Sequence, residues 1–398
     1  MSDNNVKTIT LGCRLNFYES EMLKSALTKK YPDENIVVVN TCAVTHEAER
    51  QSKQAVRKSI RENNRAKIIV TGCAAQTSSE YFAKLDGIFE IIKNEEKCDY
   101  EDFPEIPIFE GKSRAFLQIQ NGCDNLCSFC IVPYTRGKSQ SMPIQNILEK
   151  IQFFVNSGFK EVVFSGIDIT SYGKDFEEKI EFSDVLRDVL DKFPELLRIR
   201  ISSLDPNGVT DKLFNIITSE IRILPHIHLS VQSGDNHILK LMRRRHSRED
   251  VIKLCNDIRK KRENIVFGAD FITGFPGEDN LMFKNTMNLV KEANISLLHI
   301  FPYSPRKGTL ASTLVQLPYN VIHERAKILR QNSEEQLAIL LKSFVGKTVN
   351  FMVEREENGV LFGKTDHFLQ IKTEKSYKIG EIVTETEVIS SNSNFLIV

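Results

Sequence analysis

No stretch of this 398-residue sequence approaches the ~18 consecutive apolar residues that a membrane-spanning helix requires. The opening, MSDNNVKTIT, lacks the basic-then-apolar order of a secretory leader, so a cytoplasmic protein is expected. Net charge is missing as well: 53 basic residues balance 53 acidic ones, which withholds the global positive field of many nucleic-acid binders. A disulfide framework is not expected of eight cysteines in a reducing compartment, where metal binding or catalysis is the better use for them. What remains, 41% hydrophobic and 27% charged, is the composition of a folded chain long enough for two or three cores.

Charge is concentrated locally. Arg50, Lys53, Arg57, Arg61 and Arg65 recur at helical spacing on one face of residues 48–67, and Arg243, Arg244, Arg245 and Arg248 crowd a second segment. Either is a solvated face or a phosphate-binding one.

In the first hundred residues three β-branched runs each end at a cysteine: TITLGC at Cys13, IVVVNTC at Cys42 and KIIVTGC at Cys73. Helical stretches such as 47–63 separate them, which predicts a parallel sheet whose strand ends, and cysteines, share one edge. An acidic, proline-containing stretch at 94–113 reads as a linker. Beyond it, strand-like runs at 115–119, 161–165, 197–202, 226–231, 267–272 and 296–300 alternate with amphipathic stretches such as 143–156 and 247–262. Six βα units predict a partial barrel with its chemistry at the strands' C-terminal ends. A helix over 320–344 then gives way to short alternating runs with Gly or Asn turns, which predict a small antiparallel β-barrel, a structural end domain or a binder of single-stranded nucleic acid.

The segment NGCDNLCSFCIVP holds Cys123, Cys127 and Cys130 with no fourth ligand nearby. Zinc in a structural site takes four ligands, and an ordinary iron–sulfur cluster takes four cysteines. Three thiolates on a [4Fe–4S] cluster leave one iron open. A distant His or Cys completing a zinc site is the competing possibility.

CDNLCSFC after the first barrel strand, with Phe129 at the usual aromatic position, resembles the radical S-adenosylmethionine (SAM) superfamily. There the open iron chelates SAM, and an electron from the cluster yields methionine and a 5′-deoxyadenosyl radical. The upstream cysteines and the terminal β segment narrow the resemblance to the methylthiotransferases. TLGCRLN, NTCAVT, GIDITSYG, RISSLDP, HIHLSVQSGD and RRRHSRED look most like the branch acting on N6-threonylcarbamoyladenosine at tRNA position 37. Lys307, where relatives usually carry proline, and Gln140, where Arg is common, depart from that pattern.

The resemblance implies three parts: residues 1–110 with an auxiliary cluster, 111–335 as the radical SAM barrel, and 336–398 as a TRAM-like β domain. It implies two [4Fe–4S] clusters, on Cys123, Cys127 and Cys130 and on Cys13, Cys42 and Cys73, and two uses of SAM. Gly166, Ser203 and Gln232 are candidate SAM contacts, or polar strand-end residues satisfied by backbone; no catalytic residue is assigned beyond the cluster ligands. The expected partners are a tRNA anticodon stem-loop and an electron donor such as flavodoxin or ferredoxin, without a membrane. Sister activities on isopentenyladenosine or a ribosomal protein, an iron–sulfur electron carrier, and a non-catalytic RNA-binding module are the alternatives. Cys98 and Cys255 fit neither triad; Cys255 reads as a small buried hydrophobe. His226 and His228 alternate within a strand and read as structural.

Overall fold

The computed structural model describes residues 5–97, 109 and 112–398. Strands β1 (Val6–Thr10), β2 (Ile36–Thr41), β3 (Lys67–Gly72) and β4 (Ile88–Ile92) form a parallel sheet in chain order. β2 is buried along its whole length, as a strand covered on both faces must be, and its IVVVNT sequence has the continuous apolar run this demands. Helices α1 (Arg14–Lys30) and α2 (His46–Glu62) supply the crossovers. Thr45 caps α2 by accepting the Ala48 N–H at 3.1 Å. β4 is a fourth strand that the sequence pattern does not announce. Most of the expected linker, Cys98 included, lies outside the described residues, while Phe109 is buried in the barrel's core.

Six strands follow in order: β5 (Ala115–Gln118), β6 (Glu161–Ser165), β7 (Arg198–Ile201), β8 (His226–Gln232), β9 (Val266–Thr273) and β10 (Ile295–Pro302). They form two parallel three-stranded sheets, joined through parallel bridges Ile199–Ile223 and Leu204–Leu229 into the expected partial barrel. Its outward residues, among them Val162, Phe164, Ile199, Leu229 and Phe271, share one apolar core with the helices. The alternate residues point inward and are largely polar: Glu161, Arg198, Arg200, His226, His228 and Asp270. Apolar outside and polar inside is the arrangement of a barrel that receives a ligand.

The helix Tyr319–Ser343 leads into a curled, mainly antiparallel sheet of six strands. Asn358 and Gly359, both at positive φ (53° and 78°), make the tight turn between Thr348–Glu357 and Val360–Thr365. Among the described residues its edge strands, Ile382–Glu387 and Ser390–Ser391, do not pair, so the hydrogen bonds leave the expected barrel open. This sheet seats on the mouth formed by the strands' N-terminal ends. Arg114, on Glu161 at 2.6 Å, reaches Glu354 at 2.5 Å; Arg198, on Glu161 at 2.7 Å, pairs with Asp366. Arg200 joins Glu161 at 2.8 Å and donates to the Thr365 carbonyl at 2.9 Å.

Candidate active site

Cys13 precedes α1, Cys42 follows β2, and Cys73 opens the short helix Cys73–Thr77 after β3. In-register pairing of Thr10 with Asn40 and Asn40 with Thr71 delivers all three to the same edge. Gly12, at φ +93°, crosses directly over the Cys42 thiol: a Cβ there would lie 2.9 Å from Sγ. The Cys42 N–H donates to Ser52 Oγ at 2.9 Å, and that hydroxyl donates back to the Cys42 carbonyl at 3.0 Å, fixing the loop to α2. Burial pushes the Cys42 thiol up to about 11, and Cys73 and Cys13 push in the same direction. Three soft donors at one edge, with the ionisation of the buried Cys42 opposed by its two neighbours, fit a thiophilic metal centre, whose positive charge would reverse that opposition.

The second triad lies in the loop after β5. Burial pushes Cys123 up to about 11 and Cys130 up to about 12. The Asn125 N–H approaches the Cys123 sulfur at 3.4 Å, and Arg244 Nη1 approaches the Cys127 sulfur at 3.4 Å. Arg244 is oriented by Asp205 at 3.0 Å and the Ser230 carbonyl at 2.7 Å. Of the four arginines read as a solvated or phosphate-binding patch, this one is therefore turned inward. Phe129, like Leu241, packs against the apolar cluster that contains Met242 and Phe275.

The two triads adjoin. Helix Val132–Arg136, which begins two residues after Cys130, packs on Cys73–Thr77. Asn94 spans the seam, donating to the Thr135 carbonyl at 2.8 Å and approaching the Cys73 sulfur at 3.8 Å. Arg136 crosses it too, reaching Glu19 Oε1 at 2.6 Å, Asn16 Oδ1 at 2.6 Å and Asn121 Oδ1 at 2.8 Å. Its buried charge is held by Glu19 and by the thiols of Cys73 and Cys13, which together raise its pKa well above the usual value despite burial.

Gly166, Ser203 and Gln232 all fall at the strand ends that carry the second triad. Gly166 follows β6, and a Cβ there would meet the Gln120 side chain at 3.0 Å. Gln120 in turn accepts the Asp168 N–H at 2.9 Å, and Asp168 takes the Asn125 amide at 2.6 Å, tying this turn to the cysteine loop. Ser203 is half-buried after β7; Gln232 ends β8 in a bulge with φ +78°. Left-handed backbone at a non-glycine strand end is strain of the kind functional sites keep. Cys255 is fully buried in its helix, as expected, with its thiol pushed up to about 12 by burial.

Sequence reasoning missed the roles of Asn125, Asp168, Arg244, Glu19 and Arg136, since partners 43 to 117 positions apart leave no local periodicity. His228 and His299 both meet one oxygen of Asp270, at 3.0 and 3.3 Å, so these residues line the interior as one hydrogen-bonded group. Lys307 is exposed on the loop after β10, and Gln140 is exposed in the two-residue strand Gln140–Ser141. On α2, Arg50 is held by Glu47 at 2.7 Å and Lys53 by Glu49 at 2.6 Å. Arg57 and Arg61 are exposed and, among the described residues, have no carboxylate partner.

Residues 117–290 match the Radical SAM superfamily and residues 5–92 match uncharacterized protein family UPF0004. A threonylcarbamoyladenosine tRNA methylthiotransferase MtaB of Rickettsia prowazekii (strain Madrid E) is 44% identical, over 95% of this chain and 94% of its own. The MtaB of Chlamydia pneumoniae is 38% identical, over 92% and 90%. A tRNA-2-methylthio-N(6)-dimethylallyladenosine synthase of Pelagibacter ubique (strain HTCC1062) is 33% identical, over 97% and 95%. Among solved structures, the radical SAM methyltransferase TsrM of Kitasatospora setae superposes with a TM-score of 0.54 at 12% identity, covering 76% of this chain and 77% of that one, and shares the fold. With the cysteine geometry and relatives of this coverage in hand, the chain belongs to the radical SAM tRNA methylthiotransferase family.

Proposed function

We propose that this protein methylthiolates C2 of N6-threonylcarbamoyladenosine at position 37 of tRNA. The carrying observation is the meeting of two cysteine triads across the seam between Val132–Arg136 and Cys73–Thr77, in a chain 44% identical to an enzyme of that name. Radical SAM membership implies SAM and a [4Fe–4S] cluster, which supplies the electron that cleaves the sulfonium. Cys123, Cys127 and Cys130 would hold it, and Cys13, Cys42 and Cys73 would hold a second one that handles sulfur.

This chain's own residues position the reactants. Arg244 and the Asn125 amide steady the thiolates of one triad, while Arg136 and Asn94 steady the other and fix its separation from the first. Gly166, Ser203 and Gln232 would contact SAM along the strand ends. The parts 1–110, 111–335 and 336–398 divide the work into sulfur handling, radical chemistry and RNA contact, with the anticodon stem-loop as partner and a flavodoxin or ferredoxin as reductant in the cytoplasm. Among the described residues no helix is long and apolar enough to cross a membrane.

The test is anaerobic turnover on anticodon stem-loop RNA carrying threonylcarbamoyladenosine or isopentenyladenosine, with nucleosides read by mass spectrometry. Methylthio product from the first RNA, and about eight irons per chain for two clusters, are expected. Product from the second RNA alone would assign the sister activity.

A further inference from the structure

The lower half of the barrel interior contains a group of charges that the cluster chemistry does not use. Phe368, from the C-terminal sheet, closes the mouth with its ring stacked on His226 at 4.8 Å and 15°. Three cations surround that ring: Lys364 Nζ at 3.5 Å, Arg200 at 5.1 Å and Arg14 at 5.6 Å. Arg200 is neutralised by Glu161. Among the described residues, neither Lys364 nor Arg14 has a carboxylate or hydrogen-bond partner. Within the group and among the described residues, Glu161, Glu354 and Asp366 pair with Arg114, Arg198 and Arg200, and the charges of Arg14 and Lys364 are left over.

Each component is locally unfavourable. Arg14 is the first residue of α1, where the helix dipole disfavours a cation, and no acidic residue in the first turn offsets it. Phe368 holds φ +67°, a strained conformation for an aromatic residue. His226 Nε2 is buried with no hydrogen-bond partner. Gly268 makes room for the rings beside it: a Cβ there would lie 2.6 Å from His228 Nδ1 and 3.3 Å from His226 Nε2. Protein surrounds the Arg14 guanidinium, yet the side chain stays open to solvent. Lys364, half-buried beside other cations and without a carboxylate partner among the described residues, is costly to keep charged until an anion arrives, and sequences break several local rules at once where function requires it.

The inward face of one strand runs from this group to the cysteine end. Inward residues of β8 climb from His226 through His228 and Ser230 to Gln232, and the Ser230 carbonyl holds the arginine that touches Cys127. From His226 to Ser230 the strand rises roughly 13 Å at ~3.3 Å per residue. We infer that Lys364, Arg14 and the Phe368 floor form a carboxylate receptor, which takes the threonyl carboxylate of the substrate nucleoside while its adenine lies nearer the cysteine triad. The inference rests on the substrate proposed above. It gives the C-terminal sheet a part in selecting the nucleoside: an isopentenyl substituent has no charge to offer this floor.

The decisive comparison uses the wild-type holoenzyme and three stem-loop RNAs: one with threonylcarbamoyladenosine, one with its carboxyl converted to the primary amide, and one with isopentenyladenosine. The acid should exceed the amide in kcat/KM by about ten- to hundredfold, the range of one or two charge-assisted hydrogen bonds. Lys364→Met should lower kcat/KM for the acid and cut the acid-to-amide ratio about tenfold, with Arg14 left in place, while Lys364→Arg keeps the preference. Acid and amide RNA reacting equally in the wild type would overturn the receptor, whether or not Lys364→Met folds. So would a Lys364→Met whose sole defect is in the KM for SAM, since the anion would then be the cofactor's carboxylate. Failure of the substrate reading looks different: the wild type would modify the isopentenyl RNA and neither of the others.

Discussion

Arg136→Met tests whether the seam between the triads is held by charge. Glu19 is buried beneath two cations, Arg136 at 2.6 Å and Lys97 at 2.7 Å. Burial alone would raise its pKa; Arg136 and Lys97 outweigh it and hold the carboxyl at about 2 against an ordinary 4.5. A depression of that size contributes about 3 kcal/mol at neutral pH. Because the folded value is the lower one, this contribution is complete above pH 4.5 and is lost as pH falls toward 2. Removing Arg136 leaves Lys97 in place but strips the cation that also bonds Asn16 and Asn121, so a loss of about 2–3 kcal/mol is expected, below the full cost of orphaning a buried charge. Native-state hydrogen exchange on the iron-free protein, reading amides of β1–β3 and of Val132–Arg136, should show both losing protection together. Glu19→Gln should shrink the effect of Arg136→Met, giving a coupling of about 1 kcal/mol or more. Protection within about 0.5 kcal/mol of wild type, with no loss between pH 4.5 and 2, would refute the charge-held seam.

Cys130→Ala should abolish 5′-deoxyadenosine formation from SAM, whereas Cys42→Ala should lose about half of the iron expected for two clusters, retain some SAM cleavage and deliver no methylthio group; full iron and full methylthiolation in Cys42→Ala would end the two-cluster assignment. Replacing Arg57 and Arg61 together with Glu should weaken tRNA binding and reduce its salt slope by about two, one for each phosphate no longer neutralised, measured as affinity against salt concentration. Burial, opposed by Glu354 and assisted by Arg114, Arg200 and Arg14, lowers Lys364 to about 8. Lys364 is cationic below that value, so the kcat/KM advantage of acid over amide RNA should decline as pH rises through 8.

Each recurrent feature of this fold was legible because it repeats. Three β-branched runs ending in cysteine and six βα alternations have periods that a sequence displays, and the helices came out within a residue or two of expectation: 47–63 is His46–Glu62 and 320–344 is Tyr319–Ser343. β4 was missed because IFEII is short and half-buried at an edge, with no cysteine to mark it. The site divides in the same way. Its thiols stand in a spaced motif, and their location needed only the rule that parallel strand ends converge. Their partners come from afar: Arg136 meets Asn16 across 120 positions, and Arg244 meets Cys127 across 117. Arg244 lies in a run of three arginines that composition cannot distinguish; Arg245 also reaches Asp205, at 3.5 Å against 3.0 Å, and the Ser230 carbonyl holds Arg244 as the one turned inward.

Charge also explains why the C-terminal sheet sits where it does. A small β domain that only gripped RNA would have no need to send Asp366 and Glu354 into a barrel's mouth, or to hold Phe368 at positive φ against His226. Those contacts cost desolvation that apolar packing would avoid. Glu161 shows what the charges accomplish: fully buried, it gathers Arg114, Arg198 and Arg200 and is held at about 2 by their charge. Three arginines so fixed cannot turn toward a ligand. Lys364 and Arg14 are left, among the described residues, as the cations of the floor without a carboxylate partner. Sheet and barrel therefore share one ion-pair network, and Arg14, from the first helix, adds its charge beside it.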